Sequence, residues 1–283
     1  IFMGTVTYSW IVYQGDVSYQ RRAEKGFSEA PQTFSFLQLF APIALLILTR
    51  MQIPVSTTFL VLNVFATDAQ AMFSILQKSF YGYLIAFGLA VVIWYTVARW
   101  VNPHLKGKPS PIWIALQWVT SGLLWSVWIM QDAANIAVFL PRQLSLLELV
   151  LFIAFIFFGL GLLLYLKGDR MQKIVSEKVG INDIRAATLV DLVYMMILFY
   201  FKNLNNVPMS TTWVFIGLLG GRELSSGYAK RNLEKRKKAL KKGLKFIRKD
   251  LQHALIGLVI SIILAIWVNP VIKNTVIALF FSL

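Results

Sequence analysis

The sequence predicts an all-α, polytopic membrane protein. Of its 283 residues, 57% are hydrophobic and only 14% are charged, and its mean hydropathy is +0.64. Soluble domains carry about 25% charged residues, so this composition points to an integral membrane protein. The apolar runs are continuous and lack period-two alternation, which favours helices over a membrane β-barrel. Because these runs recur along the chain, we expect a multi-pass protein of a cell membrane.

Several of the apolar segments are too short to cross a bilayer alone. As a helix, segment 54–66 would rise about 20 Å, against a hydrocarbon core of about 30 Å. The segment that begins at Pro208 is equally short. We therefore expect broken or re-entrant half-helices at both places. The candidate membrane segments are 1–14, 33–49, 54–66, 79–100, 112–140, 147–166, 184–201, 207–221, 253–268 and 270–282.

Short matches indicate that the chain is a tandem repeat. P-V-S-T-T at 54–58 recurs as P-M-S-T-T at 208–212. We assign residues 1–107 to the first repeat and 108–283 to the second, and we expect further sequence before Ile1. The spacing alone leaves open whether the copies are parallel or inverted. The other collinear matches are 13–16 with 166–169, 23–25 with 176–178, and 100–103 with 267–270.

A basic insertion at 222–252 distinguishes the second repeat from the first. Residues 222–249 hold twelve Lys and Arg against two Glu. Within it, the leucine and isoleucine spacing predicts an amphipathic helix over 233–251. We expect this helix to lie on the anionic cytoplasmic surface of the membrane, with a regulatory or lipid-sensing element as the alternative. No nucleic-acid partner is expected, because the segment lacks interleaved aromatic residues. The apolar positions are Leu233, Leu240, Leu244, Ile247 and Leu251.

The paired Pro-x-Ser-Thr-Thr motifs predict an anion site. Proline suits the first turn of a helix, and the following hydroxyls add donors to the unpaired N–H groups there. Such a cluster at the positive end of a helix favours anions. Short Pro-interrupted segments at matching places in two halves indicate a transporter's binding site. The alternative is that these hydroxyls only cap or pack helices. The residues are Ser56, Thr57, Thr58, Ser210, Thr211 and Thr212.

The second candidate site is Q-D-A-A-N at 131–135, inside an apolar run. Gln131, Asp132 and Asn135 can share one helix face, and their oxygens suit a hard monovalent cation such as Na⁺. A carboxylate at bilayer depth costs about 2.5–3.5 kcal/mol on insertion scales, so such residues usually line pathways. The alternative is an interfacial Asp at a helix end.

A third candidate is Asp191, with Gln38 at the corresponding place in the first repeat. An Asp in one copy and a Gln in the other indicate a coupling-ion or gating position. A hydrogen bond between helices would explain the pair equally well.

The sequence shows no pattern typical of an enzyme. It has no cysteine, and H-E-x-x-H, G-x-S-x-G and G-x-x-x-x-G-K-[ST] are all missing from it. We therefore expect neither catalysis nor an organic or metal cofactor, and only a coupling ion, Na⁺.

The order of these motifs resembles the inorganic phosphate transporter (PiT) family, in a divergent bacterial form. Members carry an N-D-x-x-N-type motif followed by P-x-S-x-T-H, once in each of two inverted repeats, and Asp132 and Asn135 fall on that first motif. The resemblance implies symport of phosphate with Na⁺, or H⁺ in some members, by alternating access, and a homodimer in the bacterial inner membrane. It places substrate ligands at both Ser-Thr-Thr motifs and at Gln131, Asp132 and Asn135; the candidate Na⁺ ligands are Asp132, Asn135 and Asp191.

The chain departs from the family's pattern at several positions. Gln131 replaces the first Asn, Phe59 and Trp213 replace the His, and Asp191 and Gln38 stand where the family usually has Glu. The resemblance places the first copy's Asp/Asn motif about 22 residues before Ile1. A sulfate or other oxyanion permease on the same scaffold is one alternative. A membrane sensor or scaffold that uses the basic helix is another.

Overall fold

The computed structural model describes residues 1–21, 35–51, 53, 55–66, 69–97, 99, 107–166, 183–204, 210–230 and 232–281, and within them helices joined by turns are the only regular secondary structure. This confirms the predicted all-α class. A 3-10 turn precedes α2, another follows α3, and a π-helical turn follows α7. The helices are α1 Phe2–Val12, α2 Phe40–Arg50, α3 Thr57–Leu62, α4 Ala69–Thr96, α5 Ile112–Ala137, α6 Leu146–Tyr165, α7 Ile184–Leu198, α8 Thr211–Tyr228, α9 Leu233–Val268 and α10 Pro270–Phe281.

Five helical stretches of the described chain are long and apolar enough to cross a membrane. Each has at least the roughly 17 residues that a crossing needs. A further apolar stretch, Phe36–Arg50, is shorter. This content is compatible with the predicted multi-pass membrane protein. The five stretches are Leu76–Thr96, Ile112–Ala137, Leu146–Tyr165, Ile184–Phe201 and Leu233–Val268.

The closest helix pair is α4 with α8, and glycines on α8 make the contact. A Cβ built at Gly217 would lie 2.5 Å from the Tyr83 carbonyl oxygen, and one at Gly221 would lie 2.5 Å from that of Phe87. Small residues four apart let two membrane helices approach closely. Because both residue numbers increase together along the contact, α4 and α8 run parallel.

Helix α8 is longer than the sequence analysis predicted. Segment 207–221 was expected to be as short as 54–66, but α8 continues to Tyr228. Two contacts stabilise the helix across the polar residues at its C-terminal end. Arg222 pairs with Glu223 at 3.0 Å, and the Ser225 hydroxyl donates to the Gly221 carbonyl at 2.9 Å. Helix α3 is short, since its six residues rise about 9 Å. That it is a broken or re-entrant half-helix stays a prediction.

Residues 233–251, predicted to form an amphipathic helix, are helical in the structure. They form the first half of the single 36-residue helix α9, which is about 54 Å long. Its inner face packs antiparallel on α8, where Leu240 lies against Gly227 and Ile247 against Gly220. Leu244, on the predicted apolar face, is 57% exposed.

Helices α5 and α7 pack together with α4 and α8 in the largest buried cluster of the described chain. Its apolar members come from all four helices: Ala86, Ala90, Trp94, Val127, Val190, Val193, Tyr194, Ile197, Leu198, Val214 and Leu218. This core fixes the C-terminal part of α5 next to the first turn of α8.

Candidate functional site

Three helix segments meet at one polar cluster: the first turns of α3 and α8, and the last two turns of α5. The Asn135 side-chain amide donates to Thr57 Oγ1 at 3.2 Å and to Thr58 Oγ1 at 3.3 Å. The Thr211 hydroxyl donates to Asp132 Oδ2 at 2.8 Å. Asn135 also donates to Asp132 Oδ1 at 3.2 Å, as expected for side chains on one helix face. We call these five side chains the hydroxyl–carboxylate cluster.

The two serines have matching roles at the starts of α3 and α8. Ser56 Oγ accepts from the Phe59 N–H at 3.1 Å, and Ser210 Oγ accepts from the Trp213 N–H at 3.3 Å. Each serine therefore caps its helix, as the alternative explanation for these hydroxyls proposed. The two prolines that open the motifs lie outside the described residues.

The carboxylate of Asp132 lies at the positive end of an 18-residue helix. The unpaired N–H groups and dipole of α8 favour a negative charge there, and two hydrogen bonds from side chains add to this. The cluster thus combines an anionic group with the kind of helix terminus that also attracts anions.

Two supporting residues were not predicted from the sequence. The Tyr194 hydroxyl on α7 donates to the Thr211 carbonyl at 3.0 Å, and Ser79 Oγ on α4 accepts from the Ser210 N–H at 3.0 Å. Both fix the first turn of α8 against neighbouring helices. Neither lies in a recognisable motif, so no sequence signal could have identified them.

The remaining motif residues lie around this cluster. Gln131 is fully buried, and its Nε2 donates to the Leu198 carbonyl on α7 at 3.2 Å. Thr212 is half-buried, and none of the hydrogen bonds described here involves it. Phe59 and Trp213, at which the resemblance implies His, are 2% and 5% exposed among apolar side chains.

Asp191 lies in a separate polar group between α5 and α7. Its Oδ2 accepts from Gln117 Nε2 at 2.7 Å and from the Ser121 hydroxyl. Ser121 precedes Asp132 by eleven residues of α5, or about 16 Å. The structure therefore does not bring Asp191 together with Asp132 and Asn135, and its contacts are the helix–helix hydrogen bonds of the alternative interpretation. Gln38, which the predicted repeat aligns with Asp191, donates to the Val64 carbonyl at 3.1 Å.

A pocket of about 540 Å³ opens beside the hydroxyl–carboxylate cluster, and we call it the lateral pocket. Its polar lining residues are Thr57, Asp132 and Asn135, and the others are apolar or aromatic. Side chains of α2, α5 and α6 form most of its wall. The cluster is therefore reachable from one side.

The groups of the cluster that could bind an ion are three threonine hydroxyls, one carboxylate and one carboxamide. Within the described residues, no group of three or more His, Cys, Asp or Glu could hold a metal ion. One carboxylate with threonine hydroxyls and a carboxamide matches a monovalent hard cation better than a transition metal. The same hydroxyls can donate to an oxyanion.

Comparison with protein-family models, with curated proteins and with solved structures finds no significant match to this chain. The resemblance to the PiT family therefore depends on the motifs alone.

Proposed function

We propose that this protein is a cation-coupled secondary transporter of inorganic phosphate, with Na⁺ as the coupling ion. One observation carries the proposal. Threonines from both Pro-x-Ser-Thr-Thr motifs, far apart in sequence, hydrogen-bond to the Asp132–Asn135 pair at one place. The coupling-ion ligands would be Asp132 and Asn135, without Asp191.

The position of the cluster along the helices supports a transport site near the bilayer midplane. Ser210 lies ten residues, or about 15 Å, along α8 from Gly220. At Gly220, α8 contacts Ile247, which belongs to the Lys/Arg-rich half of α9. If that half lies at the membrane surface, the cluster is about half a hydrocarbon thickness deep.

Helix directions support two inverted repeats. The helix before each W-V-N-P match is α4 in the first repeat and α9 in the second. Helix α4 runs parallel to α8, whereas α9 runs antiparallel to it. The two corresponding helices therefore have opposite directions, as an inverted pair requires. In this arrangement α3 is the half-helix of the first repeat.

The hydrogen bonds supply a coupling mechanism. Without a cation, the Asp132 carboxylate accepts a hydrogen bond from the Thr211 hydroxyl, and its negative charge repels an approaching phosphate. A Na⁺ bound to Asp132 neutralises this charge and releases the Thr211 hydroxyl to donate to phosphate. Cation binding therefore raises phosphate affinity, and phosphate raises cation affinity by the same factor.

Uptake into liposomes tests the function. The purified full chain is reconstituted, and uptake of radiolabelled phosphate is measured with an inward Na⁺ gradient, an inward H⁺ gradient or neither. We expect uptake only with the Na⁺ gradient, and inhibition of that uptake by excess unlabelled phosphate.

The alternatives give different results in the same assay. Stronger competition by sulfate than by phosphate would assign the site to another oxyanion. Uptake indifferent to both gradients would reject coupling. An absence of uptake together with an absence of phosphate binding would favour a sensor or scaffold.

A further inference from the structure

The lateral pocket combines an apolar, aromatic wall with a single charge. Four aromatic side chains line it: Trp128, Phe139, Phe152 and Phe155. Among its lining residues, Asp132 alone carries a formal charge. Its volume of about 540 Å³ lies within the range of about 300–1,000 Å³ typical of small-molecule sites.

We propose that the lateral pocket binds hydrophobic organic monocations, with the cationic centre beside Asp132 and the apolar groups against α5 and α6. Aromatic faces attract cations, and the attraction is larger where water is excluded. The carboxylate supplies the complementary charge in the same low-dielectric site.

Charge distinguishes this occupant from the lipid that surrounds a membrane protein. A neutral acyl chain could occupy the apolar part of the pocket but would leave Asp132 without a counter-charge. An anionic headgroup would meet that carboxylate directly and be repelled. A lipophilic cation satisfies both parts of the pocket, so we commit to that class.

Binding in the pocket does not require that the protein transport phosphate. If the proposed function is also correct, an organic cation at Asp132 would exclude Na⁺ and inhibit uptake. The two claims can therefore fail separately: binding is measured without a gradient, and uptake is measured without the organic cation.

The test uses tetraphenylphosphonium as the probe and tetraphenylborate, an anion of nearly the same size and shape, as its counterpart. Binding of each to the purified full chain is measured by equilibrium dialysis in a neutral detergent, with protein-free micelles subtracted. We expect saturable binding of the phosphonium alone. If Asp132 also binds Na⁺ as the proposed function requires, Na⁺ should weaken this binding when it replaces N-methylglucamine at constant ionic strength; an unchanged affinity would count against the Na⁺ site and not against the pocket.

Two pairs of variants locate the site. Asp132→Asn should weaken phosphonium binding at least about tenfold, because the counter-charge is lost, whereas Asp191→Asn should leave it unchanged. Phe155→Ala should weaken it roughly threefold. Phe155 is 78% exposed on α6, so its loss should not disturb folding. Phe158→Ala is the matched control, since Phe158 is 72% exposed on the same helix and does not line the pocket.

Equal binding of the phosphonium and the borate would overturn the proposal, because it would indicate apolar partition alone. Equal effects of Phe155→Ala and Phe158→Ala would also overturn it, even if Asp132→Asn failed to fold.

Discussion

At the scale of single residues, Asp132 is the group on which the site depends. A carboxylate in a membrane-spanning helix costs about 2.5–3.5 kcal/mol on insertion scales. Here the cost is offset by hydrogen bonds from Thr211 and Asn135 and by the positive end of α8. These same partners could serve an anion, so under the proposed function the charge of Asp132 decides whether phosphate can bind.

Replacing Asp132 with Asn should remove the cation dependence of phosphate binding. The neutral side chain no longer repels phosphate and no longer needs Na⁺ to neutralise it. In the native protein, we expect the Kd for phosphate to rise at least about tenfold when Na⁺ is replaced by N-methylglucamine. In Asp132→Asn the two values should agree within about twofold, as the coupling free energy is lost.

Asp191→Asn is the matched control, because it makes the same chemical change about 16 Å along the α5 surface. It should keep the Na⁺ dependence of the native protein. If Asp132→Asn binds phosphate with an unchanged response to Na⁺, the coupling mechanism is wrong.

The capping serines should contribute to stability rather than to binding alone. Ser210→Ala leaves the Trp213 N–H without its acceptor at a position where Ser210 is 1% exposed. Loss of such a cap costs about 1 kcal/mol, which corresponds to a fall in Tm of about 2–4 °C. Thermal unfolding of the protein in detergent measures this.

Ser126→Ala is the control for this prediction. The Ser126 hydroxyl only donates back to the Gly122 carbonyl within α5, at 3.0 Å. Its removal should change Tm by less than about 1 °C. Equal falls in the two variants would show that Ser210 does not act as a cap.

At the scale of elements, the position of α8 against α4 holds the cluster together. The first turn of α8 carries Thr211, and its glycines set the distance to α4. Because the contact is backbone to backbone, side-chain rearrangement cannot relieve a larger residue there.

Gly217→Ala should therefore destabilise the protein, although alanine is the better helix former. The added Cβ would meet the Tyr83 carbonyl oxygen at 2.5 Å. We expect a loss of about 1–3 kcal/mol, seen as a lower Tm. Gly159→Ala is the control, since nothing lies within 4 Å of a Cβ at that position of α6. It should be neutral or stabilising by up to about 1 kcal/mol.

At the scale of the whole molecule, helix direction determines which loops share a side of the membrane. Parallel α4 and α8 end on one side, and antiparallel α9 starts there with its Lys/Arg-rich half. Basic residues favour the cytoplasmic side. The loop after α4 and the start of α9 should therefore both be cytoplasmic.

Cysteine labelling in whole cells checks this topology. The chain has no cysteine, so single substitutions need no background removal. Lys108→Cys and Lys238→Cys, both at exposed positions, should react with a membrane-impermeant maleimide only after the cells are permeabilised. Labelling of one in intact cells and not the other would contradict the parallel arrangement.

Composition and local pattern could predict much of this architecture. The all-helical class follows from continuous apolar runs, since a backbone in lipid must satisfy its own hydrogen bonds. The contact between Asp132 and Asn135 follows from helix geometry, because residues three apart share a face. The start of α8 at its Ser-Thr-Thr motif could likewise be predicted from the local sequence.

What remained undetermined depends on contacts between distant segments. From the sequence, Asp191 could either belong to the same site as Asp132 or form hydrogen bonds between helices. In the structure Asp191 lies between α5 and α7, where it accepts hydrogen bonds from Gln117 and Ser121.

Helix α8 was predicted too short because Arg222 pairs with Glu223 and the Ser225 hydroxyl bonds back to Gly221 within its polar residues. The continuation of the basic helix into the apolar half of α9 was not predicted, because its Lys and Arg residues suggested a boundary there.

The sequence by itself therefore determined an all-helical chain, segments apolar enough to cross a membrane, and recurring polar motifs, because composition and helix periodicity are local properties. Only the tertiary structure brought Thr57 and Thr58 to Asn135 and Thr211 to Asp132, and opened an aromatic pocket beside them. Those contacts arise from the packing of α3, α5 and α8. The free energy of that packing is distributed over many apolar side chains, so no single motif predicts it.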